Sequence, residues 1–448
     1  MTKFCFLAIL ALTVMSCNSA SKTTVGIHIE GAQGDLKAAV VTKDSTYMVA
    51  FDSTGSAVVV LAEDLKPGYA TLNCGRVQVP VYIEPGKSFD ASIKIEARKV
   101  DVNFTGEGAK KNEYLNNENV LRYFPDFKAD EAGFLADLKE QEAKFNALLD
   151  SMKFDDPFTQ LEKKRIHYMI YSLMPNYPSY HPYYSEEKDY RPSDNFFNEL
   201  KAAVQEEEAL IDMPEYQSAL TGFVSLYSTK DLQQADPLGN TKARLNYVNQ
   251  NIGSPVIACF LVDKFATDYV GRYGVDAIEE ITPIYNSKVT CPEKKAKFDE
   301  LCAKWAKITK GQPSPSFKCL DINGNEVSLA DLAGKYVYID VWATWCGPCR
   351  GEIPHLKKLE HKYKGKNIHF VSISCDQDKA AWEKMVKEDK LGGIQLHFGK
   401  DQSFMDEYMI RGIPRFILLD REGKIIESNA SRPSNPKTVE TFNALEGI

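Results

Sequence analysis

What this chain lacks narrows its chemistry before any motif is considered. Positive charge is not in excess: 54 Lys and Arg stand against 62 Asp and Glu, a formal net charge of -8, and no basic patch is concentrated along the chain. A surface that binds nucleic acid through its phosphates needs the opposite balance, so nucleic acid is excluded as a general partner. After the first 17 residues no stretch is long and apolar enough to span a bilayer as a helix. A second C-x-x-C pair, which a tetrahedral zinc site would need beside the first, is missing. So are a repeat period and the composition of a disordered chain. With 448 residues, 44% hydrophobic and 26% charged, this is ordinary globular material, long enough for two to four domains.

The N-terminus carries its own pattern. Lys3 precedes an apolar run from Phe4 to Met15, too short to cross a bilayer comfortably, and Ser16-Cys17 follows. This order is that of an export signal. Its end, Val14-Met15-Ser16-Cys17, resembles the lipobox of bacterial lipoproteins. The resemblance implies a signal peptide over 1–17, lipidation of Cys17 and attachment to a membrane by that lipid, with 18–22 as a polar tether. Of the ten cysteines, eight lie outside this segment and would sit in an oxidising compartment. Six of those, Cys74, Cys259, Cys291, Cys302, Cys319 and Cys375, have no role that spacing reveals and read first as buried thiols acting as small hydrophobes.

From 24 to 105, short alternating runs such as Val25-Gly-Ile-His-Ile-Glu and Gln78-Val-Pro-Val-Tyr-Ile are broken by Gly31, Gly34, Gly55 and Pro85-Gly. That spacing predicts a small antiparallel sandwich or barrel, read as a spacer or interaction module. From 110 to 310 the period becomes helical. One segment there is unusual: between His167 and Tyr190 seven tyrosines are interrupted by Pro175, Pro178 and Pro182. It reads as an aromatic loop pinned to the helices, or as a partner surface; zinc at His167 and His181 lacks neighbouring ligands. Gly311-Gln-Pro-Ser-Pro-Ser then marks a boundary, and 311–448 has an α/β pattern. The fold class expected is multidomain α+β: an N-terminal antiparallel β domain, a helical middle and a C-terminal α/β domain.

The chemistry lies in Asp340-Val-Trp-Ala-Thr-Trp-Cys-Gly-Pro-Cys-Arg. An apolar strand feeds two cysteines that open a helical pattern. A cysteine at a helix start sits beside unpaired N–H groups and the positive end of the helix dipole, both of which favour thiolate. Cys346 is therefore the candidate nucleophile. Cys349, one turn inside, lies on the same face and is placed to resolve a mixed disulfide. The candidate cofactor is none beyond the Cys346–Cys349 disulfide itself, and no metal is expected.

That stretch is similar to the active-site segment of thioredoxins, and Tyr408-Met-Ile-Arg-Gly-Ile-Pro-Arg-Phe-Ile-Leu-Leu-Asp resembles the segment that bears their cis-proline. The Asp-x-Asn-Gly and Val-Ser-Leu-x-x-Leu patterns within 317–332, with an insertion over 376–398, resemble the TlpA-like (ResA-type) envelope thiol-disulfide oxidoreductases. The resemblance covers about 311–448 and implies a thioredoxin-like fold there. It also implies that Asp340 is the buried acid managing the second cysteine's proton. Pro414 would be cis, with Ile413, Trp345, Gly347 and Pro348 facing substrate, Pro354 would kink the helix, and Glu352 would either tune the site or be a solvated helix residue. The function implied is reduction of protein disulfides, facing the periplasm in a bacterial cell envelope and extending to cytochrome c maturation, with a membrane thiol carrier supplying electrons. An isomerase or oxidase, and a partner-binding lipoprotein with an accessory redox domain, are the alternatives. A peroxiredoxin is disfavoured, because Ile339 and Ala343 stand where that family has Pro and Thr or Ser.

Overall fold

The structure, a computed structural model, describes residues 22–30, 36–75, 77–96, 99–117, 121–232 and 236–448. The proposed signal peptide and Cys17 lie outside the described residues. The chain divides into two compact units. One holds the residues up to Val204 with Asp212–Ala219, the other Gln205–Ile211 with Leu220–Ile448.

The first unit begins with eight strands: β1 (Thr24–Ile29), β2 (Ala38–Val41), β3 (Thr46–Val49), β4 (Ser56–Val60), β5 (Gly68–Cys74), β6 (Val77–Ile83), β7 (Phe89–Glu96) and β8 (Lys99–Gly106). They form two four-stranded sheets, ordered β4-β1-β7-β8 and β3-β2-β5-β6. Alternation along the strands sends Val25, Ile27, Leu72, Val81, Phe89 and Ala91 into one shared core, the arrangement that period-2 patterning produces. One expectation is corrected. The region is not wholly antiparallel, because β1 pairs with β7 in parallel, Gly26 opposite Asp90. That pairing joins strands more than 60 residues apart, and no local turn signal announces it.

Helices α1 (Ala109–Leu115), α2 (Glu131–Ser151), α3 (Asp156–Tyr171), α4 (Tyr177–Tyr184) and α5 (Asp194–Ala203) follow. Asp130, Asp155 and Ser193 cap α2, α3 and α5 by accepting the N–H of Gly133, Phe158 and Phe196, each worth about 1 kcal/mol. The tyrosine and proline segment is helical rather than a loop. Pro175 and Pro178 sit in first turns, where a missing N–H costs nothing, and only Pro182 lies inside α4. Tyr168 and Tyr177 are buried. His167 does not present a metal site: its ring nitrogens bond Glu142 and the Ala203 carbonyl, each at 2.8 Å. The opening turns of α6 (Pro214–Thr229), as far as Ala219, also belong to this unit.

In the second unit, α7 (Pro237–Asn251), α8 (Pro255–Tyr273), α9 (Thr282–Lys288) and α10 (Pro292–Ala306) lead into a seven-stranded sheet. Its elements are β9 (Lys318–Asp321), β10 (Glu326–Ser328), β11 (Tyr336–Trp342), α11 (Gly347–Lys362), β12 (Ile368–Ser374), α12 (Lys379–Glu388), β13 (Ile394–His397), α13 (Ser403–Glu407), β14 (Arg415–Leu419), β15 (Ile425–Glu427) and α14 (Pro436–Asn443). The order is β10-β9-β13-β12-β11-β14-β15. All seven residues of β11 are buried, as a central strand covered on both faces requires. Tyr338, Leu356, Phe370, Phe416 and Phe442 pack into one cluster of this domain.

The segment read as a linker is tied down. The Gly311 N–H donates to the Ile425 carbonyl at 2.7 Å, Ile425 donates to Gln312 at 2.9 Å and Ser314 to Gly423 at 3.0 Å.

Candidate active site

The site is built where β11 ends. After Trp342 the chain crosses Ala343-Thr344-Trp345 and enters α11 with Cys346 as N-cap, its φ/ψ of -81°/100° still extended. Gly347 and Pro348 form the first turn and are exposed. Proline fits there because that turn's N–H groups have no helical acceptor. Cys346 Sγ accepts the Cys349 N–H at 3.1 Å, so the sulfur occupies the position a capping oxygen would take. Cys346 and Cys349 are joined in a disulfide with their Cα atoms 5.3 Å apart. Both are buried, whereas neighbouring Trp345 is 70% exposed.

Asp340 lies two residues before the end of β11, opposite Ser372 on β12 and Phe416 on β14. Burial pushes its carboxyl up to about 8, helped by the nearby charges of Glu352 and Glu360 and opposed by a hydrogen bond from Ser372. Its Oδ1 is buried and, among the described residues, has no hydrogen-bond partner. The Ile413–Pro414 peptide is cis. Ile413 packs against the cluster formed by Trp342, Ala343, Cys346, Cys349 and Trp382. The fold thus places Cys346, Cys349 and Ile413 in one cluster, with Asp340 on the central strand that leads to it. Trp345, Gly347 and Pro348 form its exposed rim.

Two expectations change. Glu352 is not a solvated residue: it is buried, and its carboxylate accepts the N–H and hydroxyl of Ser434 at 2.9 and 2.8 Å. The partner stands 82 positions away, beyond any local signal. Asp376 was missed altogether. It is buried and accepts the Thr344 N–H at 2.9 Å, the Thr344 hydroxyl at 2.7 Å and the Ser374 hydroxyl at 2.7 Å. This carboxylate holds the loop that presents Trp345 and Cys346. A signal existed, since parallel register between β11 and β12 pairs Trp342 with Ser374, and two residues further along each chain come Thr344 and Asp376.

The other cysteines among the described residues, Cys74, Cys259, Cys291, Cys302, Cys319 and Cys375, are free thiols. Burial raises the Cys74 thiol to about 11 and the Cys319 thiol to about 12, and it raises Cys375 as well. Such thiols are poor nucleophiles at neutral pH.

The Redoxin family profile matches residues 309–445. The thiol-disulfide oxidoreductase ResA of Bacillus anthracis is 31% identical over 121 residues, 27% of this chain and 69% of the relative. The chain belongs to the ResA-type thiol-disulfide oxidoreductases. Among solved structures, a Bacteroides vulgatus protein assigned as a thiol-disulfide oxidoreductase is 69% identical, covering 30% of this chain and 90% of that one with a TM-score of 0.28. A thiol:disulfide interchange protein from Bacteroides sp. is 35% identical over 31% of this chain and 94% of its own, with a TM-score of 0.29. The ResA-type region therefore makes up the C-terminal third, and this oxidoreductase carries about 300 residues ahead of it that the family profile does not match.

Proposed function

We propose that this oxidoreductase reduces disulfides of proteins in the bacterial cell envelope, cytochrome c precursors among them, through the Cys346–Cys349 dithiol. The observation that carries the reading is Cys346 at the N-cap of α11, its sulfur already accepting a backbone N–H. In the reduced protein the same N–H and the helix dipole stabilise the Cys346 thiolate. That thiolate attacks one sulfur of the substrate disulfide, the bond breaks, and the first substrate thiolate departs. Asp340, its pKa raised to about 8 by burial and by Glu352 and Glu360, accepts the Cys349 proton. The Cys349 thiolate then attacks Cys346 and expels the second substrate thiolate. Substrate gains two electrons and the dithiol loses two, with no other cofactor and no metal.

Trp345, Gly347 and Pro348 offer an exposed rim for docking, and the Ile413 backbone beside Pro414 offers main-chain hydrogen bonds to an extended peptide. Lipidation of Cys17 would anchor the protein to a membrane, facing the periplasm, and a membrane thiol carrier would restore the dithiol. The division into 24–105, 110–310 and 311–448 belongs to the same reading, with the first two parts selecting substrate. Exposed Phe124, Tyr180, Tyr183 and Tyr184, in edge contact with one another or with Phe127, favour a partner-binding role for that region.

The test is insulin reduction by the full chain with a dithiol supplied. Activity in the native protein and its loss in Cys346→Ser is the expected result; equal rates would sink the proposal. Trapping mixed disulfides with Cys349→Ser would name the substrates, and the reduction potential of the pair would separate a reductase from an isomerase or oxidase.

A further inference from the structure

Beneath α11 runs a cleft lined by Asp340, Trp342, Leu356, Glu360, Ser372 and Gln395, among others. Three of these lining residues carry a buried polar atom with no hydrogen-bond partner among the described residues: Asp340 Oδ1, Trp342 Nε1 and Gln395 Oε1. Buried polar atoms of this kind are normally satisfied by water, and a bound water needs two or more of them around one space. The cleft follows one face of the active-site helix. Cys349, Ile353, Leu356 and Glu360 are spaced i, i+4, i+7 and i+11, so the stripe that starts at the second cysteine ends at Glu360.

Glu360 is held at that end by its surroundings. A Cβ on Gly392 would overlap Glu360 Oε2, and one on Gly393 would lie 3.0 Å from Oε1 and 2.7 Å from the Phe370 carbonyl, so Gly392-Gly393 makes the room this carboxylate occupies. The side-chain amide of Gln395 donates to the Gly392 carbonyl at 2.6 Å and keeps that turn in place. Around Asp340 the titratable and charged groups are Tyr338 on β11 and Glu352, Lys357 and Glu360 on α11. Among the described residues, the neighbouring strands contribute Ser372, Gln395 and Phe416, none of them charged. Lys357 turns its ammonium to the Asp389 carbonyl at 2.6 Å.

We propose that Glu360 is the outer proton station of this cleft, taking from Asp340, through bound water, the proton that Asp340 removes from Cys349. The inference rests on the dithiol mechanism proposed above. As the mixed disulfide resolves, Cys349–SH gives its proton to the Asp340 carboxylate. The Cys349 thiolate forms the bond to Cys346 Sγ, and the electron pair of the broken bond leaves on the substrate sulfur, which solvent protonates. The proton on Asp340 crosses the cleft to the Glu360 carboxylate and passes to bulk water, which resets the base. Partial burial raises the Glu360 carboxyl, with Lys357 working against it, and a raised carboxyl holds a proton more readily. Cleft, carboxylate and glycine turn carry the proposal without it.

The experiment uses the full-length reduced protein and a symmetrical aromatic disulfide whose thiolate is coloured. The first thiolate released reports attack by Cys346; the second reports closure by Cys349. Glu360→Gln should leave the first release unchanged and slow the second about tenfold at neutral pH, below the roughly 100-fold loss expected for a group that touches the reacting atoms. Added imidazole should restore the second phase, and Glu360→Asp should retain most of it. Gly392→Ala, which displaces the carboxylate without removing it, should slow the same phase to a smaller extent. The proposal is overturned if the second release is unchanged in Glu360→Gln, or is slowed without rescue by imidazole. Failure of the dithiol reading looks different, because Cys346→Ser would then still release both thiolates.

Discussion

Two carboxyl groups lie at the bottom of two different cores in this chain, and the protein treats them in opposite ways. Glu162, on α3 in the first unit, is fully buried and fully partnered: Arg165 donates to both its oxygens at 2.8 and 2.6 Å, and the Tyr69 hydroxyl donates at 2.5 Å. Arg165 also reaches Glu215 at 3.1 Å, and these carboxylates hold its guanidinium above its ordinary range against the pull of burial. Among the described residues, no cation is paired with Asp340 in the second unit, and Lys357 turns to the Asp389 carbonyl instead. Burial, with Glu352 and Glu360, makes its ionisation harder, and among the described residues one of its oxygens has no hydrogen-bond partner. A buried carboxylate matched by a guanidinium is a fixture of the fold. One left beside other acids keeps its proton to higher pH.

This contrast can be broken most decisively at Arg165. Arg165→Ala strands the Glu162 charge and should cost about 3–5 kcal/mol, read as lost amide-exchange protection along β5 and α3, with thiol exchange at Cys346 unaltered. A parallel loss of thiol exchange would mean that the two carboxyl sites are not independent. The mirror substitution is Asp340→Asn. An acid whose pKa rises on folding keeps its proton longest in the folded state. Between 3.8 and about 8 the unfolded chain therefore loses its proton first, and stability falls as pH climbs through that window. Asp340→Asn should remove this fall and stabilise the oxidised protein by on the order of 5 kcal/mol at alkaline pH, while closure by Cys349 slows roughly 100-fold. Denaturant titrations at acid and alkaline pH check the first expectation; a variant as pH-sensitive as the native protein would contradict it.

A finer test concerns Asp376, another buried carboxylate, which accepts hydrogen bonds from Thr344 and Ser374. Thr344→Val removes the hydroxyl but keeps the backbone donor, so a loss of about 1 kcal/mol is expected, with a change in Trp345 fluorescence because the loop is released. The smallest effect belongs to Trp345→Ala, which touches neither base nor thiolate. It should raise KM for a protein substrate a few-fold and leave kcat for a small disulfide in place.

Which of these groups could be read from the sequence follows from how local their causes are. Cys346, Cys349 and the helix they open sit within ten residues of one another, and the strand pattern that buries Asp340 is contiguous with them. The cis peptide before Pro414 came from a short motif of its own. Asp376 and Glu352 are different, since the first depends on the register of two parallel strands and the second on Ser434, far along the chain. The tyrosines of α4 were misplaced for another reason. Proline reads as a loop signal unless it falls in a first turn, and the sequence alone does not say where that turn begins.

The pairing of 311–314 with the β15 hairpin decides where this chain can safely be cut. β15 is the last strand of its sheet, and the segment that arrives from α10 serves as its cover. A redox fragment beginning at Phe317 would keep every residue of the dithiol site and still uncover a row of backbone donors and acceptors along that border, a surface prone to self-association. A fragment beginning at or before Gly311 carries its own seal.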